Sequence, residues 1–394
     1  MFDVSPHYAD LMNAWYDSEM AFLYGNRYVP RASLQQNHIL MAAPVWGVEF
    51  METFVNYCIP SILAERNRKA LASRCTLLLF TNRDSQRALL STTHALSKYG
   101  IELVLRRIPD AVADEINKDN MNKFWTLGVA HTLAIQHAVR YGMGFSMLVP
   151  DHIYSDHYYE SLSNMQQQHD VILQTSITAD IEGMRNGLTG ARRSDGSIEI
   201  SAQELGELGF RHMHAQTKQY MIKPTDFPDK MPYTQFQVWT RKDSLAIYSG
   251  FFNPVWMSYA QCARIASASL STLDTRMPDM DIQKFAVPGL EQEMVYIEMS
   301  SSSKLAMAPV VGKNIWIDRA WEQMKYDPAY MPYRQAPSHV PIMIQDEYAT
   351  DEQIITTQKQ IDAMLLAERG NSAIRRVTGP KILPEYATWD VHKL

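Results

Sequence analysis

The chain has 394 residues, 46% of them apolar and 20% charged, and a formal net charge of −6. That composition belongs to a soluble globular protein with a sizeable core and excludes a largely disordered chain. The acidic balance, with lysine and arginine only in short pairs such as Arg106-Arg107 and Arg192-Arg193, excludes a basic nucleic-acid footprint.

Residues 1–37 read as an N-terminal segment. Their start, MFDVSPHYADLMNAWYDSEM, has no charged opening followed by an apolar run, so no signal peptide is expected. HILMAAPVW at 38–46 predicts a buried strand ended by Gly47. In EFMETFVNYCIPSILAERN, Phe50, Met51, Phe54, Val55, Cys58, Ile59 and Ile62 recur at helical spacing, and Pro60 is expected to kink the helix. CTLLLF predicts a second strand, TNRDS a turn and helix start, and 85–98 a helix that ends at Gly100. IELVLRRI is the third strand, 120–141 a long helix ending at Gly142, and GFSMLV the fourth strand. This alternation predicts an α/β fold with a mostly parallel, Rossmann-like sheet covered by helices.

HDVILQTSI at 169–177 reads as a fifth strand, and NGLTGARRSDGS at 186–197 as a surface excursion or, less simply, a lid. Ser201 with Glu204 forms a capping-box pattern and opens a helix expected to carry GFRHMHAQTKQYM. Residues 236–259 suggest one or two strands and a turn. After about residue 306 come PVVGKNIWIDRAWEQM, a Pro/Tyr-rich stretch, a polar helix at 351–369 and an extended tail. The expected division is 1–37, a core domain at 38–305, and a C-terminal extension at 306–394. No apolar window reaches the roughly 20 residues of a membrane span. Cys58, Cys75 and Cys262 are far apart without CxxC spacing, so they are expected to be buried packing residues in a reducing, cytoplasmic setting.

In parallel sheets, ligands bind outside the carboxyl ends of the strands. Pro44-Val45-Trp46-Gly47, Thr81-Asn82 and Pro150-Asp151 lie at those ends. In GFSMLVPDHIYSDHYYESL, Asp151 reads as functional and Ser155 or Asp156 as the cap of a helix at 157–162. His157 reads as solvated surface, His152 as undecided, and His131 as a core histidine on an apolar helical stripe. His212 and His214, two apart on a helix, would point in different directions, so at most one faces a site. There is no G-x-S-x-G, H-E-x-x-H, G-x-x-x-x-G-K-[ST] or G-x-G-x-x-G motif, which removes the esterase, zinc-protease, P-loop and dinucleotide readings.

Three segments resemble bacterial GT-A-type glycosyltransferase-like proteins: PVWGVEFMETFVNYCIPSILA, NKFWTLGVAHTLAIQHAVRYGMGFSMLVPDHIYSD and ISAQELGELGFRHMHAQT. Lys123, His131, Pro150, Asp151, Ser155, Asp156 and His214 match positions of that group. The chain departs from it at Phe251-Phe252-Asn253-Pro254, at Glu291-Gln292-Glu293 and at His157. The resemblance implies a GT-A-like domain that transfers a sugar from a nucleotide-sugar donor to an unidentified acceptor. It places Pro44, Trp46, Gly47, Thr81 and Asn82 on base and ribose, with Lys123 and Ser155 also on the donor side. Asp151 would hold the diphosphate, directly or through Mn²⁺ or Mg²⁺, with Asn253 as a further metal ligand. His214 joins Asp151 as a catalytic candidate, and Asp226 or Asp243 could serve as base. Nucleic acid is not an expected partner, and self-association is left open. Two rival readings remain. One is a catalytically silent scaffold in which Trp316, Tyr326, Tyr330 and Tyr333 anchor a partner or pack the extension. The other is a nucleotidyltransferase acting on a phosphosugar.

Overall fold

The computed structural model describes residues 5–25, 38–118, 122–218, 220–222, 236–249, 253–266, 285–301, 337–343, 348–357 and 359. In chain order, α1 (Pro6–Gly25) precedes β1 (Ile39–Val45). A helix in three parts follows: α2 (Val48–Thr53), a π-helical turn (Phe54–Cys58) and α3 (Ile59–Ile62). Next come α4 (Glu65–Leu71), β2 (Cys75–Thr81), α5 (Arg83–Lys98), β3 (Glu102–Arg107), α6 (Asp110–Lys118), α7 (Asn122–Tyr141) and β4 (Gly144–Met147). The second half holds β5 (His152–Tyr154), α8 (Tyr158–Met165), β6 (Val171–Gln174), β7 (Thr178–Asp180), α9 (Ile181–Leu188), α10 (Ala202–Arg211) and α11 (Ala215–Lys218). It ends with β8 (Met221–Ile222), β9 (Phe236–Thr240), β10 (Ser244–Ser249), β11 (Asn253–Met257), α12 (Tyr259–Ile265), β12 (Phe285–Ala286), β13 (Tyr296–Ser300) and β14 (Ser338–Pro341).

The main sheet has seven strands in the order β12-β6-β11-β4-β1-β2-β3. Only β11 runs against the others, pairing antiparallel with both β4 and β6. The expected mostly parallel sheet is therefore present. Its inner strands β1, β2, β4 and β6 are buried on both faces, as their apolar runs require, while the edge strand β3 is half-exposed. Leu40 and Ala42 of β1 face a core shared with α1, α6, α7 and α12. Ile39, Met41, Ala43 and Val45 face the opposite core, shared with the α2–α3 helix, α4, α5 and α8. Close packing fixes Gly144 of β4, where an added Cβ would lie 1.9 Å from the Trp256 ring.

A three-stranded sheet, β5-β13-β7, and a four-stranded sheet, β14-β10-β9-β8, complete the framework among the described residues. Ile153, Ile297, Met299 and Ala179 on one face of the small sheet pack with α9, α10 and the four-stranded sheet in a third core.

Several expectations need correction or refinement. Within the stretch read as an N-terminal segment, α1 buries Tyr8, Met12, Trp15, Tyr16, Met20 and Leu23 in the first core. The 305/306 division is not a packing boundary, because β14 pairs with β10 and places Val340 and Ile342 in the third core. Residues 236–259 hold three strands, since β11 returns to the main sheet. The 186–197 stretch is a largely exposed surface excursion, as read from the sequence, and ion pairs hold it: Arg68 with Asp195 and Arg193 with Glu199. His212 and His214 lie beyond the end of α10 at Arg211, so helical spacing does not govern them.

Pro60 acts through hydrogen bonding. It has no N–H to give the Asn56 carbonyl four residues earlier. The helix widens into the π turn, and Arg192 Nη2 donates to that carbonyl at 2.6 Å. The expected buried cysteines are found: all three are free and buried.

Candidate functional site

In the order β3-β2-β1-β4, the connections leave β1 and β4 in opposite directions, which makes their carboxyl ends the switch point of the sheet, where open α/β sheets place a ligand crevice. The ladder parts there. β4 pairs with β1 only as far as Ala42↔Met147, and Leu148 donates the last bond to Ala42. Pro44, two residues on, turns its missing N–H toward this gap, which is why a proline is tolerated in a central strand. Trp46 follows, half-buried against the first core. Gly47 turns the chain into α2 with a φ of +81°, a conformation that favours glycine.

Each sequence-derived candidate has a definite place. Thr81 ends β2 fully buried, and its hydroxyl has no hydrogen-bond partner among the described residues. Asn82 caps α5, its side chain accepting from Ser85 N at 3.3 Å. Lys123 stands half-buried on the first turn of α7, which begins at the carboxyl end of the sheet. Asp151 lies in the turn after β4, half-buried, and its carbonyl accepts from Met299 N at 2.8 Å. Its carboxylate is near the π turn: the Cys58 thiol is pushed up by burial and, secondarily, by the Asp151 charge.

The turn after Asp151 is built differently from the expectation. His152–Tyr154 form β5, which pairs with β13 about 140 residues away. Ser155 is fully buried. Its hydroxyl donates to the Glu293 carbonyl at 2.9 Å and accepts from Val295 N, so it staples β5 to the approach of β13 and is not placed to meet a donor. Neither Ser155 nor Asp156 caps α8. His157 is at that position, and its Nδ1 meets Asp156 Oδ1 at 2.7 Å. His152 is a core residue, stacked on Tyr296 with ring centroids 4.3 Å apart. Burial pushes its pKa down to about 3, so it is neutral. His131 is buried, as expected.

The small sheet supplies what the sequence reading missed. By strand alternation, Tyr296, Glu298 and Ser300 of β13 share a face with His152 and Tyr154 of β5 and Thr178 and Asp180 of β7. This face turns toward the carboxyl ends of the main sheet. Tyr296 Oη donates to the Gln174 carbonyl at the end of β6 (3.1 Å), and Asn253 Nδ2 donates to Tyr296 Oη (2.9 Å). Asn253 begins the reversed strand beside Gln174 and so belongs to the same end.

His214 joins this face from the turn after α10. Its N–H bonds to the Thr178 carbonyl at 2.9 Å. Its ring Nδ1 accepts from Gln216 N, which leaves Nε2 to donate to the Ser301 carbonyl at 3.2 Å. Glu298 sits between these groups. Burial raises its pKa, while the neighbouring Thr178 hydroxyl and His214 ring pull it partly back. Among the described residues no lysine or arginine pairs with Glu298. The signal was present in VYIEMS, where one carboxylate interrupts an apolar strand.

Asp243, offered as a base, is exposed on the β9–β10 turn, bonded to the Ser244 hydroxyl. Asp226, Phe251, Phe252, Trp316, Tyr326, Tyr330 and Tyr333 lie outside the described residues. Among the described residues, no three His, Cys, Asp or Glu side chains group as a metal cage requires. No described helix is long and apolar enough to cross a membrane. The sequence matches no family model and no curated protein.

Proposed function

We infer that the protein is a nucleotide-sugar-dependent glycosyltransferase whose donor lies across the crevice between β1 and β4. The strand order carries this reading. Numbered along the chain within the main sheet, the strands run 3-2-1-4-6-5-7 with the sixth reversed, and the change of direction between the first and fourth supports a ligand site at that switch point. The resemblance of the β1, β4 and α10 segments to GT-A-type glycosyltransferase-like proteins agrees with it.

The roles follow from chemistry. Trp46, at the crevice edge, offers a ring to a nucleobase. Lys123, at the same end of the sheet, offers a cation to the diphosphate. A bare carboxylate repels a diphosphate. Asp151 therefore accepts from ribose or sugar hydroxyls, or meets the diphosphate through a divalent ion. Mn²⁺ or Mg²⁺ held there would take most of its oxygens from the donor and from water, as Mg²⁺ commonly does. The described side chains alone do not form a cage for it.

A donor panel tests the reading. Thermal shift with UDP-, GDP-, CMP- and TDP-sugars, each with and without Mn²⁺, is run on wild type and Asp151→Ala. One nucleotide class should stabilise wild type, by about 2.7 kcal/mol at one hundred times its Kd, and should do so less in the variant. A folded wild type that responds to none of the donors refutes the reading. Pyrophosphate release with a sugar phosphate and a nucleoside triphosphate would favour the nucleotidyltransferase instead.

A further inference from the structure

The small sheet abuts the Asp151 turn, where Met299 N donates to the Asp151 carbonyl at 2.8 Å, and one residue of its inner face is not accounted for by packing alone. Tyr296 is accounted for by its bonds to Gln174 and Asn253, and His152 by its stack on Tyr296. Glu298, two residues further along the same face, meets the Thr178 hydroxyl and lies near the His214 ring, but no lysine or arginine among the described residues pairs with it. A carboxylate in such a place is costly unless it neutralises or is used. Sites where burial and a specific neighbour act on one titratable group are candidates for proton transfer.

We propose that the Glu298 carboxylate is the proton acceptor of the sugar transfer, with Thr178 and His214 as positioning residues. This rests on the nucleotide-sugar reading above. The donor would occupy the β1–β4 crevice, and the acceptor hydroxyl would approach from the small-sheet side. The acceptor oxygen attacks the anomeric carbon while its proton passes to Glu298. The bond from the anomeric carbon to the phosphate oxygen breaks, and the nucleotide leaves with the electron pair. One displacement inverts the anomeric configuration, and Glu298 later returns the proton to water.

The environment suits the task. A general base works best when its pKa lies near the operating pH, and burial moves Glu298 in that direction. The groups on this face are Tyr296 and Ser300 from β13, His152 from β5, and Thr178 and Asp180 from β7, with His214 from the α10–α11 turn. His214 is fixed at both ring nitrogens, so it orients the site without exchanging the proton itself. Asp180 caps α9 through Gly183 N.

The test reads nucleotide release from the same sugar donors with water as acceptor, alongside donor binding by thermal shift. Wild type should release nucleotide at a rate that climbs with pH and levels off above the ordinary carboxylate range. Glu298→Gln should bind donor with an unchanged shift but release nucleotide about 100-fold more slowly or worse, with a flat pH profile. Thr178→Val is the second variant, should Glu298→Gln fail to fold. Losing the hydroxyl should move the rising limb to higher pH, because the neighbour that favours the charged carboxylate is gone. The proposal is overturned if Glu298→Gln binds donor and turns over within threefold of wild type on the same pH profile. It is overturned equally if Thr178→Val leaves the limb in place, or if wild type binds a donor yet shows no pH-dependent release. Wild type that binds no donor removes the parent reading, and this one with it, which separates the two failures.

Discussion

Glu19→Ala should uncouple α1 from the sheet. Arg106 on β3 donates from Nε to Glu19 Oε2 at 2.7 Å and from Nη2 to Oε1 at 2.9 Å, a bidentate pair. The side chains are 18% and 7% exposed, and the guanidinium lies 3.5 Å from the centre of the Phe22 ring. Removing one partner of a buried pair costs about 3–5 kcal/mol, because the other charge is left uncompensated. Arg106 keeps some access to water, which places the loss near the lower end, about 3 kcal/mol. The assay is urea denaturation of Glu19→Ala, Arg106→Ala and the double variant. The double variant should be less destabilised than the sum of the singles, with a coupling of at least ~1.5 kcal/mol. Single variants within about 0.5 kcal/mol of wild type, with additive effects, would refute the view that α1 is an integral layer of the fold.

Other consequences can be checked the same way. Gly144→Ala drives a Cβ to 1.9 Å from the Trp256 ring, and thermal melting should show a loss of about 1–3 kcal/mol or more. Gly206→Ala meets the Pro341 carbonyl oxygen at 2.1 Å, so amide exchange at Val340 and Ile342 should speed up as β14 loosens. Arg192→Met leaves the exposed Asn56 carbonyl to water, so it should cost no more than about 1 kcal/mol in urea melts. Acid should destabilise the protein through buried histidines. Burial lowers His38 to about 4 and His137 and His152 to about 3, from 6.5. Below pH 6.5 the unfolded chain takes up protons that the folded one refuses, so stability falls from there toward each folded value. His152→Asn should flatten that fall by up to roughly 1.4 kcal/mol per pH unit.

The alternating half of the fold was legible because its signals are local. Apolar runs such as CTLLLF, the TNRDS helix start, the glycines at 100 and 142 and the Ser201–Glu204 box act within a few residues, and each is where the spacing puts it. What was missed depends on partners distant in sequence. β5 is three residues long and exists because β13 pairs with it, so no periodicity announces it. Ser155 looked like a cap, yet its hydroxyl bonds to residues 138 and 140 positions away. β14 is recognisable only beside β10. The site divides in the same way. The strand-end residues from Pro44 to Asp151 follow from sheet geometry. Glu298 enters only when β13 is placed between β5 and β7, although its isolation in VYIEMS was visible.

Backbone amide hydrogen exchange with and without a stabilising sugar nucleotide tests the central claim most directly, because it reports where the ligand sits. The account predicts slowed exchange at residues 45–51, 81–86, 148–156 and 296–301, the two walls of the crevice. Protection confined to the groove between α4 and α8, lined by Arg66, Lys69 and Glu160, or no protection at all, would contradict it.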